Sequence, residues 1–555
     1  MQLDKIYSNT FWEDAISKEM KNVSVAFDFL DPDANTPAGY TFMSCRLIFD
    51  VKMDFTRKAR YVAQSCFSEN NISGSTYAGV VSRESVRIAF TYVALHDLNI
   101  YAADIQNVYL QAPTSEKHWA VAGPEFGSKE GCKMLIVRAL YGTATAGRDF
   151  HNHLRECMRH LKYEFCAAEH DVWMRKARRD DGSEYYEYLL LYTDDCLCIS
   201  EHAEEALREI DKYFSLKEKS IGPPKIYLGG KVSKVTLPSG VWAYSFSSSQ
   251  YVQEAVKNVE TYLREKDMKL SRKANSPISP GYRPELDQSL ELDPKEAAYF
   301  QSLIGILRWA VELGRIDITV EVSMLSSHVA LPREGHLQQV FHIFTYLKYH
   351  HNSSIVFDPS YPEIDYDKFE RKDWKNFYGN DKEQLPDNMP EPMGKEFIIR
   401  CFVDADYAGE KLTRKSRTGF IVYLNCAPIY WYSKKQTSIE TSSFGSEFVA
   451  MKHACEYLRG LRFKLRLMGI PVSDPCFVTG DNQSVLVNSS VPESTLRKKS
   501  NSVAYHFVRH GCALDEWRFS YCRSAENPAD IMASPRAGGE DRKRKVQMML
   551  YDLYD

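Results

Sequence analysis

The sequence predicts a mixed α/β and α+β multidomain chain, and three observations carry that expectation. At roughly 150 residues per domain, 555 residues correspond to about three or four domains. Short β-rich runs alternate with helical stretches over residues 40–238, a largely helical region follows over 245–350, and alternating β patterns resume after a stretch rich in Pro, Asp and Asn. Composition agrees: 44% hydrophobic, 26% charged and 13% aromatic is an ordinary globular mixture, which argues against a disordered or fibrous chain.

Taken in order, strands are expected at residues 45–49, 134–137 and 186–192, and helices at 83–95 and 149–161. Apolar positions three and four apart mark helices over 299–313 and 335–349. Periodicity disappears over 358–396, which makes this the linker candidate. Beyond it come strands at 397–403, 418–425 and 427–432, a helix at 446–468 and a strand at 476–479. The basic run Arg542-Lys543-Arg544-Lys545 has the character of a solvated face or tail.

Composition also excludes. No apolar run approaches the roughly 18–20 uncharged residues of a membrane span, and the first residues lack the basic end and apolar stretch of a signal peptide, so no membrane partner is expected. The 13 cysteines are odd in number and scattered without a CxxC pair, a spacing that suits buried, reduced thiols better than zinc or disulfides. His151, His153 and His160 with Cys157 fall on one expected helix and suit a helical surface better than a metal site. A net charge of −4 leaves room for a basic groove confined to one domain.

Tyr192-Thr193-Asp194-Asp195 lies between two apolar runs, Tyr188 to Leu191 and Cys196 to Ile199, the pattern of a β-hairpin with an acidic tip. Adjacent aspartates repel, and a hard divalent cation such as Mg²⁺ relieves that repulsion. By itself the pair is also an ordinary polar turn. Asp104 is a lone acid in apolar company, Ile100-Tyr101-Ala102-Ala103-Asp104-Ile105, and reads either as an edge carboxylate facing solvent or as a third ligand on a neighbouring strand. Four further acids recur late in the chain: Asp404 ending a β-like run, Glu447 opening a helix, Asp481 after a strand and Asp530 at the start of a terminal helix. Strand ends and helix starts can converge on one rim of a sheet and form a second two-metal site. Singly, each has an ordinary explanation in a helix dipole or a turn.

Ordered words along the chain carry a resemblance. Tyr192-Thr193-Asp194-Asp195 with Ala103-Asp104-Ile105-Gln106-Asn107-Val108-Tyr109-Leu110 looks like a reverse transcriptase palm. More narrowly, Arg57-Lys58-Ala59-Arg60-Tyr61-Val62-Ala63, Ala139-Leu140-Tyr141-Gly142, Tyr227-Leu228-Gly229, Ser302-Leu303-Ile304-Gly305 and Arg315-Ile316-Asp317 resemble copia-type long-terminal-repeat retrotransposon polyproteins. Asp404-Ala405-Asp406-Tyr407-Ala408-Gly409, Arg414 to Gly419, Trp431 to Gln436 and Asp481-Asn482-Gln483-Ser484 are similar to the RNase H region of that family.

The resemblance implies a right-hand polymerase of fingers, palm and thumb, followed by a connection segment and an RNase H-like α/β domain. It divides the chain into a lead-in (1–40), fingers and palm (41–240), a helical thumb or connection (241–350), a linker (351–396), an RNase H-like domain (397–535) and a basic tail (536–555). Asp104, Asp194 and Asp195 take the places of the polymerase's metal-holding acids, and Asp404, Glu447, Asp481 and Asp530 those of the RNase H set. The implied cofactor is Mg²⁺, with Mn²⁺ as a substitute. The implied partners are an RNA template, a DNA primer, the RNA–DNA hybrid and dNTPs. Tyr109 matches the aromatic under the incoming sugar, where a ring clashes with a ribose 2′-hydroxyl. Lys58 and Arg60 lie where fingers cations meet the triphosphate, the alternative being a solvated strand face. Asp406 is left out of the acid set because it falls past the expected strand end at residue 403, where period-2 alternation stops fixing direction. The setting implied is intracellular: cytoplasm, virus-like particle or nucleus.

Departures from the family words favour a second reading, a decayed relic that binds primer–template or hybrid without polymerising and retains at most RNase H activity. They are Thr143-Ala144-Thr145 in place of a lysine-bearing run, Val108 where alanine is usual and pressing on the nucleotide pocket, Gln64-Ser65, Ser500, and the ending Ala533-Ser534.

Overall fold

The computed structural model describes residues 2–31, 34–51, 56–64, 79–496 and 501–554; Ser65 and Ser500, two of the departures above, lie outside the described residues. Two compact units emerge, one made of Met1–Val81, Tyr101–Lys176 and Glu187–Pro223, the other of Ser82–Ile100, Ala177–Tyr186 and Pro224–Asp555. The expected mixed α/β multidomain character is borne out.

The first unit is organised by a sheet whose spatial order is Asn99–Asp104, Asp195–Ser200, Glu184–Tyr192, Glu169–Arg178, Glu164–Cys166. The hairpin runs that flank the acidic tip are buried from Tyr188 to Leu191 and from Cys196 to Ile199, so both faces of the sheet are covered there. Helix Ala146–His160 turns Ala146, Phe150, Leu154, Cys157 and Met158 inward at the i, i+4 spacing of an amphipathic face. A smaller sheet (Phe27–Phe29, Lys133–Arg138, Pro113–Val121, Thr41–Phe42) and the antiparallel pair Cys45–Val51 and Arg57–Ala63 complete the unit. Gly142 is required where the chain turns: its φ is +92°, and a Cβ there would stand 2.0 Å from the Ala63 carbonyl oxygen.

Val108 lies in the core of the first unit. It is 2% exposed and packs with Ile105, Ala112 and Ala139 in the core of the unit, so its methyls fill apolar space. The Thr143-Ala144-Thr145 run leads into helix Ala146–His160: the Thr143 hydroxyl donates to the Leu140 carbonyl at 2.9 Å, and that of Thr145 to Asp149 Oδ2 at 2.9 Å.

The second unit contains helices Ser249–Glu265, Pro294–Glu312 and Glu334–Tyr349 around a core that includes Val256, Leu303, Leu307, Val340 and Phe344. The expected helical stretch begins later than residue 245, because strand Trp242–Ser247 pairs through Ser247 with Gly230–Thr236 on one side and Ser354–Phe357 on the other. The aperiodic stretch is irregular apart from helix Lys375–Tyr378, yet it is tied down: Glu383 accepts from Arg462 at 2.8 Å and from Arg466 at 2.5 Å.

A mixed sheet then forms in the order Ala427–Lys435, Arg417–Leu424, Ile399–Asp406, Cys476–Gly480, Trp517–Tyr521, antiparallel among the first three strands and parallel across the last two pairings. Helix Ser443–Leu467 packs on it and starts three residues earlier than the periodicity suggests, because the Ser442 hydroxyl accepts the Gly445 amide and caps it. Gly419 stands opposite Asp404 in the register, and a Cβ on it would meet Ala533 N at 2.6 Å; the missing side chain lets the short helix Asp530–Ala533 lie directly on the strand.

Two readings are corrected here. Asp406 lies inside its strand, paired with Arg417, and not past its end. The basic run is no solvated tail: it forms helix Glu540–Gln547, in which Arg542 and Lys545 are buried.

Candidate active sites

The first acid cluster is assembled by hairpin closure. Tyr192 pairs with Asp195, leaving Thr193-Asp194 as the two-residue turn, and Thr193 takes a φ of +56°. A β-branched residue in that region is strained, and such strain persists where the surroundings enforce it. The Ile105 amide donates to the Asp194 carbonyl at 2.7 Å, which fixes the end of strand Asn99–Asp104 beside the tip. Asp104 and Asp195 share a side-chain hydrogen bond. Burial, then the charges of Asp194 and Asp104, push the Asp195 carboxyl up to about 7. The three acids named from sequence are therefore brought together.

Lys217 was not foreseen. Its Nζ donates to Asp104 Oδ2 at 2.9 Å, its amide to the Asp104 carbonyl at 2.9 Å, and the Asp104 amide donates to Ser220 Oγ at 2.8 Å. Both ends of the ion pair are about half exposed, 49% for Lys217 and 41% for Asp104, so its worth is a matter of placing charge more than of stability. The pairing depends on an isolated β-bridge between Ile105 and Leu216, which no local pattern announces.

Tyr109 sits on the short 3₁₀ turn Val108–Gln111, half-buried, its ring edge-on to Tyr141 with centroids 4.9 Å apart. Burial and then the Asp194 charge raise its phenol. Arg60 lies over the same Tyr141 ring at 5.8 Å. Arg60, Tyr141 and Tyr109 thus form a row leading to the acid tip. Lys58 is on the same strand, Arg57–Ala63, paired with Asp50, and both Lys58 and Arg60 act on Glu19, whose carboxyl burial raises and these cations lower.

In the second cluster Asp404, Glu447 and Asp481 place carboxylate oxygens within 4.8 Å of one another. Asp404 is 6% exposed; burial and the charges of Asp481 and Asp530 raise its carboxyl to about 8. Burial, then Asp404 and Asp481, raise Glu447 to about 10. Asp481 follows strand Cys476–Gly480 and accepts from the Ser524 hydroxyl at 2.5 Å. Asp530 lies near enough to act on Asp404 and Glu447 but is not within the close trio; Lys545 and Arg536 hold it. Neither cation was anticipated, although Arg542 and Lys545 are three apart, a spacing that places both on one helix face. Asp406 faces Arg283, Arg417 and Lys411 and stays outside the trio.

The second cluster has the spacing that a hard divalent cation needs, while in the first the shared hydrogen bond joins Asp104 to Asp195. Both offer carboxylate oxygens, the donors a hard cation prefers, and burial followed by the neighbours' charges raises Asp195 in the first and Asp404 and Glu447 in the second.

Fold and sites together define a multidomain α/β chain with two clusters of carboxylates, one at a hairpin tip and one at the ends of strands and starts of helices. Residues 30–264 match the family model described as reverse transcriptase (RNA-dependent DNA polymerase), a span that contains the whole first cluster with Lys58, Arg60 and Tyr109. Similar along most of the chain are the retrovirus-related Pol polyprotein from transposon RE1 of Arabidopsis thaliana, 24% identical over 538 residues and covering 94% of this chain and 33% of the relative, and that from transposon TNT 1-94 of Nicotiana tabacum, 22% identical over 533 residues with 92% and 36% covered. The chain thus spans about a third of the length of these relatives. Among solved structures, a foamy viral protease-reverse transcriptase in complex with double-stranded DNA aligns over 93% of this chain and 70% of that one, with a TM-score of 0.45 at 12% identity. The family match and the transposon relatives support the resemblance read from the motifs, a copia-type retrotransposon polyprotein with a reverse transcriptase region.

Proposed function

We propose that this chain is an RNA-directed DNA polymerase coupled to a ribonuclease H, copying retrotransposon RNA into DNA and degrading the RNA strand of the hybrid. The observation that carries the reading is the meeting of Asp104 with the Asp194–Asp195 tip, together with a second, separate trio of Asp404, Glu447 and Asp481.

In the first site Asp104, Asp194 and Asp195 would hold Mg²⁺, with Mn²⁺ as a substitute; the bound cations would lower the pKa of the attacking hydroxyl and offset charge on the leaving pyrophosphate. Asp195, which burial and its neighbours' charges push up to about 7, would give up its proton to take part in holding a cation. Tyr109, braced by Tyr141, stands where a ribose 2′-hydroxyl would clash and so favours dNTPs. Arg60 and Lys58, on a strand leading to that row, supply positive charge for the triphosphate. In the second site Asp404, Glu447 and Asp481 would hold the ions, and Asp530 completes the set of acids. Primer, template and hybrid are the partners this chemistry requires. No helix among the described residues is long and apolar enough to cross a membrane, and a cytoplasmic, particle or nuclear setting fits the reading.

Asp194→Asn and Asp195→Asn are expected to cut dNTP incorporation on a primed RNA template by at least about a hundredfold while hybrid cleavage persists, since each removes a carboxylate ligand. Glu447→Gln should do the reverse. Unchanged synthesis in the first pair would refute the polymerase assignment, and unchanged cleavage in the last would refute the nuclease. The relic reading rests on Thr143-Ala144-Thr145 and its fellow departures; it is separated by primer extension in Mg²⁺ and then Mn²⁺, because a relic binds primer–template without extending it.

A further inference from the structure

Asp530 differs from the other acids of its cluster in what already occupies it. Its Oδ2 accepts from Lys545 Nζ at 2.6 Å and from Arg536 Nε at 2.8 Å, while its Oδ1 accepts from Arg536 Nη2. Lys545 and Asp530 are 3% and 4% exposed, so the contact is a buried ion pair and not a surface one. Asp541, one turn back on the same helix, stands 3.2 Å from Lys545.

The helix that delivers Lys545 is itself anchored. Arg542, 1% exposed, faces the fully buried Glu321 at 3.4 Å and donates to the Asp317 carbonyl. Lys545 is therefore a fixed charge at the edge of the cluster. Three of the roughly four acceptor positions of Asp530 are taken, and in a buried setting the ammonium and guanidinium a few ångströms away strongly oppose a divalent cation on the same carboxylate. Among the described residues no ammonium or guanidinium is hydrogen-bonded to Asp404, Glu447 or Asp481, and these three form a ligand set without Asp530.

We infer that Lys545, assisted by Arg536, is a positioning residue that withholds Asp530, so that the resting cluster takes one divalent cation on Asp404, Glu447 and Asp481 and a second only when Lys545 releases the fourth acid. This rests on the metal-site reading of the second cluster. It turns the C-terminal helix into a control on how many ions the nuclease site holds.

The test uses the full chain carrying Asp194→Asn and Asp195→Asn, which silences the first cluster, with Mn²⁺ as probe and binding followed by calorimetry and electron paramagnetic resonance. One equivalent of Mn²⁺ should bind, and Asp404→Asn should remove it. Lys545→Met should add a second equivalent, or tighten it by about tenfold, the scale at which a neighbouring charge alters a site's affinity. Lys545→Arg, which keeps the charge, should behave like the parent, and adding Asp530→Asn to Lys545→Met should abolish the gain. Two equivalents of similar affinity in the parent, or no change in Lys545→Met, would overturn the inference. Should Lys545→Met fail to fold, Arg536→Met decides: Arg536 is 45% exposed, and its loss should tighten the second ion severalfold or else the inference falls. Mn²⁺ binding indifferent to Asp404→Asn would refute the metal site itself, a different failure.

Discussion

At the scale of single residues, Asp195, Asp404 and Glu447 hold protons that ordinary carboxyls have released. Burial first, and then the neighbours' charge, push Asp195 up to about 7, Asp404 to about 8 and Glu447 to about 10. Between about pH 4 and those values the folded chain binds more protons than the unfolded one, so these groups favour folding at low pH and their contribution is lost as pH rises through the window. Glu383 has the opposite sign: Arg462 and Arg466 hold it at about 2, and its stabilisation disappears only as pH falls from about 4 towards 2. In EDTA, the melting temperature of the unit bearing the second cluster should fall from pH 5 to pH 8.5, and Asp404→Asn should flatten that slope; an unchanged slope would show that the acids are not coupled. Lys217 pulls Asp195 downward. Lys217→Met should therefore move the acidic limb of the primer-extension pH profile to higher pH, by up to about one unit.

Among elements, two glycines set how closely strands and turns approach the sites. Gly142→Ala combines a positive φ with a contact of 2.0 Å to backbone and should destabilise the first unit by about 3 kcal/mol, measured by chemical denaturation. Gly419→Ala should displace helix Asp530–Ala533 from its strand and depress RNA cleavage more than dNTP incorporation; equal losses would point to general unfolding instead. The same elements show what was legible in the chain. The strands and the long helices announced themselves by period, because alternation and 3.6-residue spacing are local consequences of burying one face. Their ends were less legible: the cap at Ser442 and the extension of strand Ile399–Asp406 through Asp406 are decided by a side-chain hydrogen bond and by a neighbouring strand.

For the molecule as a whole, divalent cations should act as folding ligands. Mg²⁺ or Mn²⁺ at a hundred times its dissociation constant contributes about 2.7 kcal/mol to the state that binds it. Because loading would displace protons from Asp195, Asp404 and Glu447, the rise in melting temperature on adding Mg²⁺ should be larger at pH 8 than at pH 5.5. Equal rises at both pH values would mean that the ions bind elsewhere.

The sequence by itself determined the mixed strand and helix content, the acidic hairpin tip, and the seven acids, because apolar flanks and ordered words are written locally. Only the tertiary structure decided that Asp104 reaches Asp195, that Lys217 lies on Asp104, and that Lys545 seizes Asp530. Asp104 and Lys217 are 113 residues apart in the chain, and such pairings follow from how strands stack and helices dock, where charge and burial are settled by neighbours that no local pattern names.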